Sequence, residues 1–274
     1  MLVLFLAMTA LLGTTGWVIA GLSGVKFALI LAVLSWVFTP SSSSSLVMRF
    51  YRARPIPTHL FPDLYQISNL MAQRAGLKRL PVLYLLPGRS MNAFATGTEK
   101  DPAICLGQGL IQALNTKEIA GILGHEISHI KNNDVLVMGY ASLFNRITYY
   151  VSLIGQIGLV FLIPMIWIKE GHLPIIPAMI IAFAPAINLL LIQALSRSRE
   201  YEADLGSAML TNNPDYLCAA LRKLEIYRKN MRRWFGIPMT AEQQNSLLST
   251  HPPTQDRIRR LQSYKIRYQH LLWT

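Results

Sequence analysis

Long apolar stretches alternate along this chain with mixed, polar-rich ones. Leu2–Ala20 is almost uninterrupted in its apolar character and has about the length a helix needs to cross a bilayer. Gly21-Leu22-Ser23-Gly24 offers a turn, and a second apolar run, Phe27–Phe38, follows at once. No basic segment precedes the first run, so the pair predicts a helical hairpin rather than a cleaved leader. The second run is short for a span and needs Val25, Lys26 and Thr39 in the interface. Two further apolar segments, Ile147–Ile168 and Pro174–Leu195, are joined by Lys169-Glu170-Gly171-His172. Gln156, Asn188 and Gln193 lie within them, and polar side chains at such depth face other helices or a wet cavity rather than lipid.

The segments in between read as soluble protein. Ser41–Ser45 is a linker, followed by the basic and aromatic Arg49-Phe50-Tyr51-Arg52, which suits lipid headgroups. His59–Ala75 has helical spacing, with Leu60, Leu64, Ile67 and Met71 on one side. Three short strands are predicted at Val82–Leu86, Asn92–Thr96 and Ala103–Leu106, separated by Pro87-Gly88 and by the polar stretch Gly97–Asp101. Asn115 has the form of an N-cap with Glu118 three residues on, opening a helix that runs to about Asn133. The C-terminal block is helical and basic, punctuated by Pro238 and Pro252-Pro253. The expected fold is therefore a mainly α membrane protein with four transmembrane helices and a small β-sheet. Its expected order is an N-terminal hairpin and linker (1–45), a first soluble segment (46–146), a second transmembrane pair (147–196) and a second soluble segment (197–274).

Composition supports the membrane reading. Of 274 residues 52% are hydrophobic and only 15% charged, against about 25% charged in an ordinary soluble chain. Such a chain is too apolar to be disordered or a purely nucleic-acid-binding module. The net charge of +12 points to an anionic partner, and its distribution selects lipid. Every lysine and arginine except Lys26 and Lys169 falls in Leu46–Arg146 or Arg197–Thr274, the pattern of segments retained on the cytoplasmic side. Four spans place both termini there as well. Cys105 and Cys218, far apart in sequence, are expected to be buried free thiols in a reducing compartment.

The strongest chemical signal is His125-Glu126-Ile127-Ser128-His129. On a helix, positions i and i+4 lie about 40° apart around the axis, so both imidazoles can bind one zinc ion while Glu126 serves as a base. A catalytic zinc takes a third protein ligand. His59, His172, His251, His270 and the carboxylates are open candidates. Glu200 and Asp204 stand out as an i, i+4 pair just past the fourth span: one can bind metal while the other holds an imidazole by its second nitrogen. A solvated acidic helix start beside Arg197 and Arg199 would give the same pattern.

Several motifs in one order then resemble a known family. These are Asn92-Ala93-Phe94-Ala95-Thr96-Gly97; Gly107 with Gly109-Leu110; the His125–His129 pentapeptide with Asn132 and Asp134; Arg199-Glu200-Tyr201-Glu202-Ala203-Asp204; and His251-Pro252-Pro253 with Arg257 and Leu261. Together they are similar to the HtpX-type membrane metalloproteases of peptidase family M48. The resemblance implies a cytosolic α+β zincin-like domain of gluzincin type. In it His125, His129 and Glu200 would hold one zinc ion per chain, with Glu126 as the general base. It implies that Asp204 orients a ligating histidine, that Asn92, Ala93, Phe94 and Ala95 form an edge strand that pairs with an extended substrate, and that His251, assisted by Arg257, stabilises the oxyanion. The implied activity is endopeptidase quality control of damaged or unfolded membrane proteins at the cytoplasmic face of the bacterial inner membrane. A protease processing prenylated C-termini shares the zinc motifs, but that branch resembles a larger barrel of seven spans. A membrane scaffold that has lost its chemistry would have no need of all four residues His125, Glu126, His129 and Glu200.

Overall fold

A computed structural model of the protein describes residues 2–38, 44–168, 175–234 and 252–271. The chain divides into two compact units, Met1–Thr39 with Val137–Ser196, and Pro40–Leu136 with Arg197–Thr274.

The first unit is built from long apolar helices. α1 (Leu2–Phe38) is broken at Ala20 and Gly21, the latter at φ +58°, ψ −140°. Glycine adopts this conformation without the clash a Cβ would bring. The break turns the helix back on itself, and Gly16 and Gly24 meet so closely that a Cβ on either would run into the other's carbonyl. The turn expected from Gly21–Gly24 is thus present, one residue early. α6 (Asp134–Ile168) and α7 (Ile175–Thr211) carry the other apolar segments. Their polar residues are used between the two helices. Asn188 is buried and donates to Asn145 and to Thr148 Oγ1, each at 3.4 Å. Gln156 reaches Ser152 and the Ile181 carbonyl, both at 3.3 Å. The outward faces are apolar and open: Val3, Trp17, Phe27, Ile154, Val160 and Phe183 are all exposed. Among the described residues two helices, Leu2–Leu34 within α1 and Ile175–Thr211, are long and apolar enough to cross a membrane.

The second unit has a sheet and a conventional core. α2 (Ser44–Phe50) is followed by β1 (Arg54–Pro55), α3 (Pro62–Ala75), β2 (Val82–Leu86), β3 (Ala93–Thr96) and β4 (Ala103–Gly107). Next come α4 (Gln108–Ala113), α5 (Thr116–Lys131), α8 (Pro214–Trp234) and α9 (Thr254–Leu271). The strands lie in the order β1-β2-β4-β3. β4 runs parallel to β2, pairing Val82 with Ala103 and Leu86 with Gly107, and antiparallel to β3, pairing Phe94 with Cys105. As the central strand β4 is buried at every position, whereas β3 forms one edge. Leu83, Ile104 and Leu106 belong to one buried cluster with Leu123, Ile127 and Ile130 of α5, Leu217 and Leu221 of α8, and Ile258 and Leu261 of α9. Each such side chain contributes about 1.5–3 kcal/mol through its burial.

β1, α2 and α4 have no counterpart in the hydrophobic pattern. β1 is two residues long and α4 six, too short for a period to show. Cys105 and Cys218 are free and buried, and burial pushes each thiol up to about 11.

Candidate metal centre

α5 starts as its sequence predicts. Asn115 Oδ1 accepts from the Glu118 amide at 2.9 Å, and Glu118 accepts from the Asn115 amide at 2.8 Å, closing a capping box. Two glycines on this helix admit its neighbours. A Cβ at Gly121 would lie 2.6 Å from the Leu217 amide nitrogen of α8, and one at Gly124 would lie 3.1 Å from Ser207 Oγ of α7. Ser207 Oγ donates to the Gly121 carbonyl at 2.6 Å. The space these glycines clear on α5 is therefore filled by α7 and α8. The close approach of α7 brings Glu200 and Asp204 to the histidines.

His125, His129 and Glu200 converge, with one potential ligand atom from each within 4.8 Å of the others. The Nε2 atoms of the two histidines are 3.1 Å apart. Glu200 lies 3.5 Å from Nε2 of His125 and 3.9 Å from that of His129. Each ring has its other nitrogen against an aspartate: His125 Nδ1 is 3.1 Å from Asp204 Oδ1, and His129 Nδ1 is 2.7 Å from Asp134 Oδ2. A carboxylate on Nδ1 fixes the tautomer and leaves Nε2 as a lone-pair donor, the arrangement found around metal-ligating histidines.

Both aspartates are themselves held by buried arginines. Arg257 grips Asp204 with a fork, Nε to Oδ2 at 2.8 Å and Nη2 to Oδ1 at 2.6 Å, and its Nη1 lies 3.3 Å from Glu200. Arg199 donates to Asp134 at 3.1 Å and also pairs with Glu202. Glu126 is buried beside this network and helps keep Arg257 charged. Four buried carboxylates, Glu126, Asp134, Glu200 and Asp204, thus face two buried guanidiniums. The surplus of negative charge, together with an N,N,O donor set, suits a divalent cation. Burial pulls the His125 pKa down, but the hydrogen bonds to Asp204 and Glu200 outweigh it and lift the ring to about 9. A divalent ion held by these residues would take the place of that proton at neutral pH.

Of the remaining residues singled out in the sequence, Ala93, Phe94 and Ala95 lie on the edge strand β3, which packs against α5. The carbonyl of Asn92 accepts from the Gly107 amide at 2.8 Å. Arg257 is inside the site, with its guanidinium committed to Asp204 and Glu200. His59 is exposed in the turn before α3. His251 and His172 lie outside the described residues. Two members of the site carry no role in the sequence reading: Asp134, placed by the turn at Asn132–Asn133, and Arg199. The signal for Asp134 is its position, an acidic residue opening a new helix five positions after His129.

A helix carrying HExxH, a glutamate from a second helix and an open sheet edge are the parts of a metal-dependent peptidase. Comparison with known proteins agrees. The family described as Peptidase family M48 matches residues 58–265. A "Protease HtpX homolog" of Desulfatibacillum aliphaticivorans is 34% identical over 269 residues, covering 94% of this chain and 86% of that protein. The protein of the same name from Campylobacter hominis is 34% identical, over 91% and 92% of the two chains. That from Thermococcus sibiricus is 34% identical, over 94% and 93%. Among solved structures, the crystal structure of S. mikatae Ste24p shares the fold, with a TM-score of 0.52 at 18% identity over 94% of this chain and 61% of that one. The chain belongs to peptidase family M48. It is a membrane metalloprotease of the HtpX type.

Proposed function

We propose that the protein is a zinc endopeptidase that degrades damaged or unfolded membrane proteins at the cytoplasmic face of the plasma membrane. The observation that carries this reading is the convergence of His125, His129 and Glu200, with the third group on the helix whose first part is apolar enough to lie in a membrane. The basic residues gathered in 46–146 and 197–274 support a cytoplasmic protease domain made of two segments. The two apolar segments on α1 and those on α6 and α7 support four spans, with both termini in the cytoplasm.

His125 and His129, through Nε2, and Glu200, through its carboxylate, would hold the ion. Two imidazoles and one carboxylate suit zinc. When bound, zinc polarises a carbonyl and lowers the pKa of water towards neutrality. Asp204 and Asp134 keep the two rings turned so that Nε2 faces inward. Glu126 accepts the proton of the attacking water and passes it to the departing amine. β3 offers to an extended peptide an edge that is unpaired among the described residues, and main-chain pairing of this kind accepts many sequences. His251, close in sequence to Arg257, would donate to the developing oxyanion. Low sequence selectivity next to a membrane suits clearance of misfolded chains rather than processing of one substrate.

The test is cleavage of an unfolded membrane protein by the purified, zinc-loaded enzyme beside its Glu126→Gln variant. The native enzyme should cleave and lose activity to a chelator. The variant should retain zinc and lose roughly 10²–10⁴-fold in rate. Equal cleavage by both, or cleavage without metal, would overturn the proposal.

A further inference from the structure

α2 and the residues after it have one face that the protease reading leaves unused. Ser44 and Met48, four residues apart, are 3% and 1% exposed and turn towards the sheet. Met48 joins Ala103 and Cys105 in a small cluster, with Tyr84, Leu86 and Phe94 packed on it. Asp101 fixes the start of α2, accepting from the Ser44 amide at 3.0 Å and from its hydroxyl at 2.6 Å. Tyr51 packs at a tilt against Phe94 of β3, with ring centroids 4.9 Å apart and planes at 48°. The helix is thus anchored to the sheet on one side. The opposite side carries Leu46 and Phe50, again four residues apart, 65% and 84% exposed.

Basic residues flank this apolar pair. Arg49, Arg52 and Arg54 are exposed, and no acidic residue occurs between Ser44 and Pro62. Large apolar side chains held open to solvent on a fixed helix, ringed by guanidiniums, match an acyl boundary beneath anionic headgroups. The chain length agrees. In sequence, only five residues separate Phe38, at the end of the apolar helix α1, from Ser44. We infer that α2 and Tyr51–Arg54 form an interfacial element that docks on an anionic bilayer surface, Leu46 and Phe50 entering the acyl boundary and the arginines binding headgroup phosphates. Through Met48 and Tyr51 this docking acts on the sheet and its edge strand β3.

The test uses the full chain in nanodiscs, with Phe50→Cys carrying an environment-sensitive fluorophore and Leu46→Cys as a second labelling site. Cys105 and Cys218 are buried, so labelling is confined to the introduced thiol. Retained chelator-sensitive cleavage shows that each labelled protein is folded. Nanodiscs of phosphatidylcholine mixed with phosphatidylglycerol should blue-shift the emission and allow quenching by brominated acyl chains. Pure phosphatidylcholine should weaken both. Adding Arg49→Gln and Arg52→Gln should move the docking equilibrium roughly 30-fold towards the free state, at about 1 kcal/mol for each basic residue. Emission typical of water at both sites would overturn the inference. So would quenching that is the same in neutral and anionic lipid, or a blue shift that brominated lipid does not quench, which would mean a protein partner instead.

Discussion

The two compact units use their apolar and polar residues in opposite ways. In the unit of α1 and the apolar parts of α6 and α7, large apolar side chains face outward and the buried amides of Asn188 and Gln193 lie inside. In the unit with the sheet, leucines and isoleucines fill the interior, and most of the buried charged groups gather at one place. There four carboxylates, two guanidiniums and the His125 imidazole are buried together beside the partly buried His129, each histidine backed by an aspartate and each aspartate by an arginine. An apolar residue therefore carries different weight in the two units, because the solvent it avoids is different. Buried polar residues differ as well. In the first unit Asn188, Ser152 and Gln156 link helices, and in the second such residues hold a fixed pattern of charge.

Core truncation should separate the two units most strongly. Ile127→Ala, at a fully buried position on α5, should cost about 2–5 kcal/mol, whereas Ile157→Ala, half exposed on α6, should change stability by no more than about 0.5 kcal/mol. Thermal unfolding of the two variants in lipid nanodiscs checks this. Similar losses would erase the contrast.

A smaller effect is expected from Asp134→Ala, which removes the partner of His129 Nδ1. Metal affinity should fall about 10–100-fold, read by competition with a chromophoric chelator. Unchanged affinity would show that the ring is oriented without Asp134.

Proton linkage sharpens the comparison further. The folded pKa of His125 is raised above its ordinary value of 6.5 to about 9. The stability this gives the metal-free protein is fully present below 6.5 and is lost as pH rises through about 9. Melting temperatures of the chelated protein should therefore decline over that range. Zinc titration at about pH 7.5 in two buffers of different ionisation heat should show release of about one proton. Zinc-loaded protein should lack the decline.

The smallest effect belongs to the first unit. Asn188→Leu should cost about 0.6 kcal/mol, the usual worth of a hydrogen bond between membrane helices. A loss of several kcal/mol would mean that Asn188 organises its surroundings as the buried charges do.

Much of this arrangement is legible in the residue pattern because its signals are local. The HExxH spacing, the Asn115–Glu118 cap and the run Val82–Leu86 each lie within a few positions. The hairpin is visible through Gly21, and the roles of Gln156 and Asn188 between helices follow from their depth in apolar runs. What stays hidden depends on tertiary contact. α2 is helical where Met48 meets the sheet; it takes in Ser44 and Ser45, expected as part of a linker, and seven residues that begin inside a serine run show no period. Gly121 and Gly124 mark open space on α5, but their positions do not say that α7 and α8 fill it. Arg199 and Asp134 are 65 residues apart, and neither announces the other.

The turn between α5 and α6 carries one more consequence. Only Asn132 and Asn133 separate the two helices, and Asn133 holds φ at +54°, a conformation asparagine tolerates better than most residues. Asp134 reaches His129 because that turn has a set length. One inserted residue would add up to about 3.5 Å of chain, enough to carry the carboxylate off its 2.7 Å contact with the ring. The stretch behaves as a ruler. Its positive φ makes Asn133 hard to replace, and a change in the length of this stretch would break the contact between Asp134 and His129 whatever residues it carried.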